Sequence, residues 1–162
     1  MRELFQIRDA VVTALKEAGL AAEAAFHPKT ARRYPAAVAA VDVARASGGE
    51  MGFCGYLGEV VEDGAPREVY GKRMEALISV NIRAERAGDC EAGCETAAEV
   101  LLGGLPEGIR PGEMTWEALA WDKAAGMFLR RGSLRCQALF LARSAGEETA
   151  FLDFRLKGVV TT

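Results

Sequence analysis

The chain has 162 residues, of which half are hydrophobic and 27% charged, with a formal net charge of −3. That length fits a single domain over residues 1–162 able to bury roughly two-thirds of its unfolded surface, and the composition excludes a disordered polar chain. No long Lys/Arg cluster points to nucleic acid and no apolar run of about 18 residues points to a membrane span, so neither is expected as a partner.

Residues Arg2 to Ala18 carry apolar side chains at Leu4, Ile7, Val11, Leu15 and Ala18, one stripe of an amphipathic helix, and Gly19 follows at the C-cap position. The mixed polar start from Met1 to Gln6 lacks the apolar core of a secretion signal, so the protein is expected to stay where it is made. Residues 20–35, with Pro28 and Pro35, read as a short extended piece and a loop, in which Arg32-Arg33 is a solvated pair. Ala36 to Val43 reads as a strand and Ser47-Gly48-Gly49 as a turn.

Phe53 to Val61 reads as a strand leading into a hairpin loop at Glu62 to Pro66, with Asp63-Gly64 at its tip; the whole excursion covers about residues 51–72. The clearest strand signal follows. Met74, Ala76, Ile78, Val80 and Ile82 line one face, while Glu75, Ser79, Asn81, Arg83 and Glu85 line the other, interrupted by Leu77. Asp89 is expected to cap a second helix with a stripe of Cys94, Ala97, Ala98, Leu101 and Leu102, stopped by Gly103-Gly104.

Residues 105–112 read as loop, and Met114 to Trp121 as a strand that places Trp116 and Trp121 on opposite faces. A turn at Asp122 to Gly126 returns the chain to a strand in which Leu134, Cys136, Ala138, Phe140 and Ala142 alternate with Arg135, Gln137, Leu139, Leu141 and Arg143. A further turn leads to a C-terminal strand over about 149–159, with Leu152, Phe154 and Leu156 inward. The sum is an α+β domain: two layers, a mainly antiparallel sheet with two helices packed on one face.

The residues that carry chemistry are few. His27 is the single histidine, and no nucleophile elbow, dinucleotide loop or phosphate-binding loop occurs. Glu59 with Glu62 and Asp63, and Glu147 with Glu148, lie at predicted turns as hydrated charges. Cys54, Cys90, Cys94 and Cys136 read as reduced, mostly buried thiols, and a metal site built from Cys90, Cys94 and His27 lacks a fourth ligand. No catalytic residue, cofactor or metal is therefore expected. A two-layer domain covers only one face of its sheet, however, and apolar residues fall on the other. Leu77, Leu139, Leu141 and one of the two tryptophans, Trp116 or Trp121, are the candidate interface, and a homo-oligomer is the expected state.

The order of elements resembles the tail terminator proteins of long-tailed, lambda-like bacteriophages. The residues that carry this are the helix Arg8 to Leu15, Tyr34 to Val41 entering the first strand, the alternating strand Glu75 to Ile82, the helix across 89–102 and the late strand Gly132 to Leu141. Membership implies a structural role without catalysis, as a ring, commonly of six subunits, that caps the tail tube and meets head-completion proteins. The place implied is the virion tail, with synthesis in the bacterial host cytoplasm. The long hairpin and the extra C-terminal strand depart from the pattern and leave open another tail, neck or baseplate component. The residues also leave open a cytoplasmic small-molecule or peptide-binding module, or an enzyme that brings His27 to a carboxylate or to Cys54.

Overall fold

The computed structural model describes residues 2–26, 36–50, 55–144 and 152–159. Helix α1 spans Arg2–Glu17 and buries Ile7, Ala10, Val11, Ala14 and Leu15. It ends in a Schellman motif: Gly19 takes φ 88, its N–H donates to the carbonyl of Lys16, and the N–H of Leu20 donates to Leu15. Strand β1, Ala21–Glu23, pairs parallel with β2, Val38–Glu50. The other pairings are antiparallel: β3 (Tyr56–Glu62) and β4 (Ala65–Ala84) form a hairpin, and β4 is flanked over most of its length by β2 and β7 (Met127–Ser144). Strands β5 (Ile109–Trp116), β6 (Ala120–Asp122) and β8 (Arg155–Leu156) all pair with β7. One eight-stranded sheet thus joins the described strands, and with α1 and helix α2 (Ala87–Gly103) it makes an α+β fold.

The core lies between the helices and one face of that sheet. Ile78, Val80 and Ile82 of β4, Leu134 and Phe140 of β7, and Ile7, Val11 and Leu15 of α1 are fully buried there with Leu101 of α2. Helix α2 comes very close to the sheet at Gly93, where a Cβ atom would stand 2.7 Å from that of Ala37 and 3.1 Å from Cγ2 of Ile82.

Several expectations are corrected. Ser47, Gly48 and Gly49 do not turn but continue β2, in register with Glu75, Met74 and Arg73. Past a bulge at Ala44 the long partner β4 keeps pairing with β2 as far as Glu50, and Gly48 leaves room for Met74; pairing outweighs local turn propensity. Strand β2 runs on to Glu50, and β4 is one strand from the hairpin tip onward. At that tip Asp63 and Gly64 both have positive φ, as a two-residue hairpin requires. Asp89 does not cap α2: Arg86 takes the N-cap in extended conformation with no side-chain bond, and Asp89 lies in the first turn. Leu102 lies outside the helix stripe, 53% exposed. Strand β5 starts inside the predicted loop, at Ile109, because an edge strand tolerates Pro111. The C-terminal strand shrinks to Arg155–Leu156 within the described residues. His27, Cys54, Pro28, Arg32-Arg33, Tyr34-Pro35, Glu147 and Glu148 lie outside the described residues.

Candidate interface on the uncovered face of the sheet

Because directly paired residues share a face, the registers assemble the side of the sheet that the helices leave open. Leu77 of β4 stands between Arg45 of β2 and Arg135 of β7. The next row runs Ser47, Glu75, Gln137 and Arg110, and the one after it Gly49, Arg73 and Leu139. Leu141 follows, opposite Gly71. The leucines are half-buried among these longer side chains, and the four arginines are exposed. Between Arg45, Leu77, Arg110, Arg135 and Gln137 runs an open trough of about 700 Å³. Its single carboxylate, that of Glu75, accepts a 3.4 Å hydrogen bond from Gln137. Among the described residues, Arg45, Arg73, Arg110 and Arg135 have no ion-pair partner.

This face is not bare throughout. At its far end the row Val38, Arg83 and Leu129 is closed from within the chain. Val38 and Leu129 are buried, the Arg83 guanidinium lies 4.0 Å from the centre of the Phe26 ring, and it pairs with Asp122 at 2.9 Å. The open patch is therefore the middle of the sheet, around Leu77, Leu139 and the arginines.

Both tryptophans fall on the other side. Trp116 pairs with Gly132 and Trp121 with Phe128, and both partners lie in β7 on the helix side. Five positions apart on one strand they would point oppositely. The chain instead breaks between β5 and β6, where one extra residue shifts the register along β7 and restores the parity. Trp116 packs on the core over Gly132, where a Cβ would run into its ring. Trp121 is 54% exposed and meets Phe128 edge-on, ring centres 5.0 Å apart.

A second exposed apolar region lies on the hairpin. Among the described residues strand β3 pairs only with β4, so its outer edge has no partner strand there, and Tyr56, Leu57, Val60 and Val61 are all exposed, Val61 by 74%. The Tyr56 ring meets that of Tyr70 edge-on, and Tyr70 donates 2.7 Å to Glu68, a bond that raises the phenol's pKa. Glu62 near the tip accepts from Arg143 at 2.8 Å.

Cys90, Cys94 and Cys136 are buried, unbridged thiols. Burial pushes Cys94 up to about 12 and Cys136 to about 11, and raises Cys90, whose Sγ meets the carbonyl of Ile82 at 3.5 Å. Such thiols are neither nucleophiles nor ready metal ligands at neutral pH. Glu3 is held below the usual carboxylate range first by its 2.9 Å hydrogen bond from Lys72. Among the described residues no three His, Cys, Asp or Glu side chains come together as a metal site, and no helix is long and apolar enough to cross a membrane.

The arginine cluster escaped sequence reasoning because its members come from four strands. Arg73 and Arg135 sit at outward positions of their alternating strands, a signal that was present. Arg45 and Arg110 fall beyond the predicted strand ends, Arg45 between Val43 and the expected turn and Arg110 in the expected loop, and only the registers bring them in.

No protein-family model matches the chain, and no curated protein matches it. Among solved structures, a chain of the virion of a native gene transfer agent particle aligns with a TM-score of 0.40 at 15% identity, over 83% of this chain and 95% of that one. A likeness at that level says nothing of function.

Proposed function

We propose that this protein is a structural, self-associating component of a phage or prophage tail, of the tail terminator kind, that forms a ring on the tail tube and meets head-completion proteins. The observation that carries self-association is strand β3: a seven-residue strand whose outer edge is unpaired among the described residues, with four exposed apolar side chains, Tyr56, Leu57, Val60 and Val61. Glu59, Glu62 and the bulge at Gly58 temper this edge, but an exposed apolar edge strand is still a surface for pairing with another chain. The half-buried leucines of the uncovered sheet face support the same reading. The assignment to a tail rests on the order of elements, which resembles that family. A non-catalytic role is supported by the deep burial and raised pKa of the described cysteines, which leaves them protonated at neutral pH.

The test is quaternary structure. Negative-stain microscopy and light scattering are expected to give discrete rings, alone or on addition of tail-tube protein. A protein that stays monomeric at high concentration and ignores tube protein contradicts the proposal.

A further inference from the structure

The open middle of the sheet, net basic although Glu75 stands among its arginines, and the outer face of α2 carry charge of opposite sign. On the uncovered sheet face stand Arg45, Arg73, Arg110 and Arg135, without ion-pair partners among the described residues. On the opposite side of the slab, α2 buries Cys90, Gly93, Cys94, Ala97, Val100 and Leu101 against the sheet. The residues half a helical turn away are Glu91, Glu95 and Glu99, with Leu102, and all four are exposed. None of these three glutamates has an ion pair among the described residues either, and the last turn of α2 carries no basic residue.

In isolation that arrangement is costly. Glu91, Glu95 and Glu99 repel one another at i, i+4 spacing, and Glu99 sits near the negative end of the helix dipole. Four arginines on one patch repel one another likewise. Each surface offers what the other lacks, and the spacings are commensurate. Glu91 to Glu99 spans about 12 Å along the helix axis. Arg45 and Arg135 stand two strand spacings apart, roughly 10 Å, with Leu77 between them.

We infer that the arginine face of one copy docks the acidic outer face of α2 of a second copy, with the glutamates between the arginines and Leu102 against the apolar floor at Leu77. The inference rests on the self-associating reading above and adds a contact separate from the edge of β3. Two arginine faces cannot meet each other without like-charge repulsion, so the contact is not isologous. The donor and acceptor surfaces lie on opposite sides of one two-layer slab, which makes the contact head-to-tail, the kind that closes into a ring or runs on as a filament. Opposed charges of this sort set register and partner choice, and association through them weakens as salt rises.

The experiment is a pair of charge reversals and their mixture, read by sedimentation velocity with circular dichroism as the folding control. Arg45→Glu with Arg135→Glu makes the sheet face acidic; Glu95→Arg with Glu99→Arg makes the helix face basic. All four residues are exposed, so both variants are expected to fold. Each variant alone is expected to have its association weakened roughly 100-fold. Mixed in equal amounts they are expected to reassociate, because the acidic sheet meets the basic helix and the two unaltered surfaces still fit. Folded variants that associate like the natural protein overturn the inference while leaving self-association standing, as does a mixture that stays dissociated. Retention of a single-stranded oligonucleotide by the natural protein, lost on reversing the arginines with association unchanged, overturns it in favour of nucleic acid. A natural protein that never associates removes this contact and the ring together.

Discussion

The two faces of β4 carry one strand into opposite surroundings. Toward the helices, Met74, Ala76, Ile78, Val80, Ile82 and Ala84 are all buried. Toward the open side, Arg73 and Glu75 are exposed, and Leu77, Ser79 and Asn81 half-buried. The alternation is the same along both rows, and only the cover differs. Folding accounts for the first row, because burial there drives the chain together. The second row is less buried and contributes less to the monomer, so its apolar and basic residues are the ones the proposed contact uses.

That contrast predicts a graded set of effects. The largest belongs to the helix side: Phe140→Ala, which empties a fully buried site, is expected to cost about 3–5 kcal/mol in chemical denaturation. Leu139→Ala, its neighbour on the open side, is expected to stay within about 1 kcal/mol. Equal losses at the two positions would mean that the open side is covered. Next comes Gly132→Ala, whose new methyl meets the Trp116 ring; about 1–3 kcal/mol is expected, with a change in Trp fluorescence. No change would place Trp116 off the core.

The third effect depends on pH. Native Cys94 and Cys136 ionise near 12 and 11, above the ordinary 9.0 of the unfolded thiols. The folded state therefore holds its protons more tightly. This contribution is complete below about pH 9 and is lost as pH rises through 11 to 12. The urea midpoint is expected to fall across that window, and less so in Cys136→Ala. The smallest effect on the monomer is that of Val61→Lys, within about 0.5 kcal/mol, but it is expected to weaken association by charging the free edge of β3.

Much of the fold was legible in the sequence. The periodicity of β4 and β7 gave both buried rows, Gly19 gave the end of α1, and Asp63-Gly64 gave the hairpin. What failed depended on neighbours. Gly48-Gly49 reads as a turn unless a long partner strand is known to run beside it. The five-residue spacing of Trp116 and Trp121 gives the wrong faces unless the extra residue between β5 and β6 is known. The candidate interface was half legible for the same reason. Leu77, Leu139 and Leu141 lie on the open side, as their parity implies. Trp116 and Trp121 do not, and the arginine cluster exists only once four strands are set in register.

The central claim is that the open side of the sheet and the free edge of β3 are surfaces for further copies. Sedimentation velocity of the unaltered protein across a wide concentration range, at low and at high salt, tests it most directly. A discrete oligomer that dissociates on dilution and on raising salt is the predicted result. A single monomeric species under every condition would contradict it.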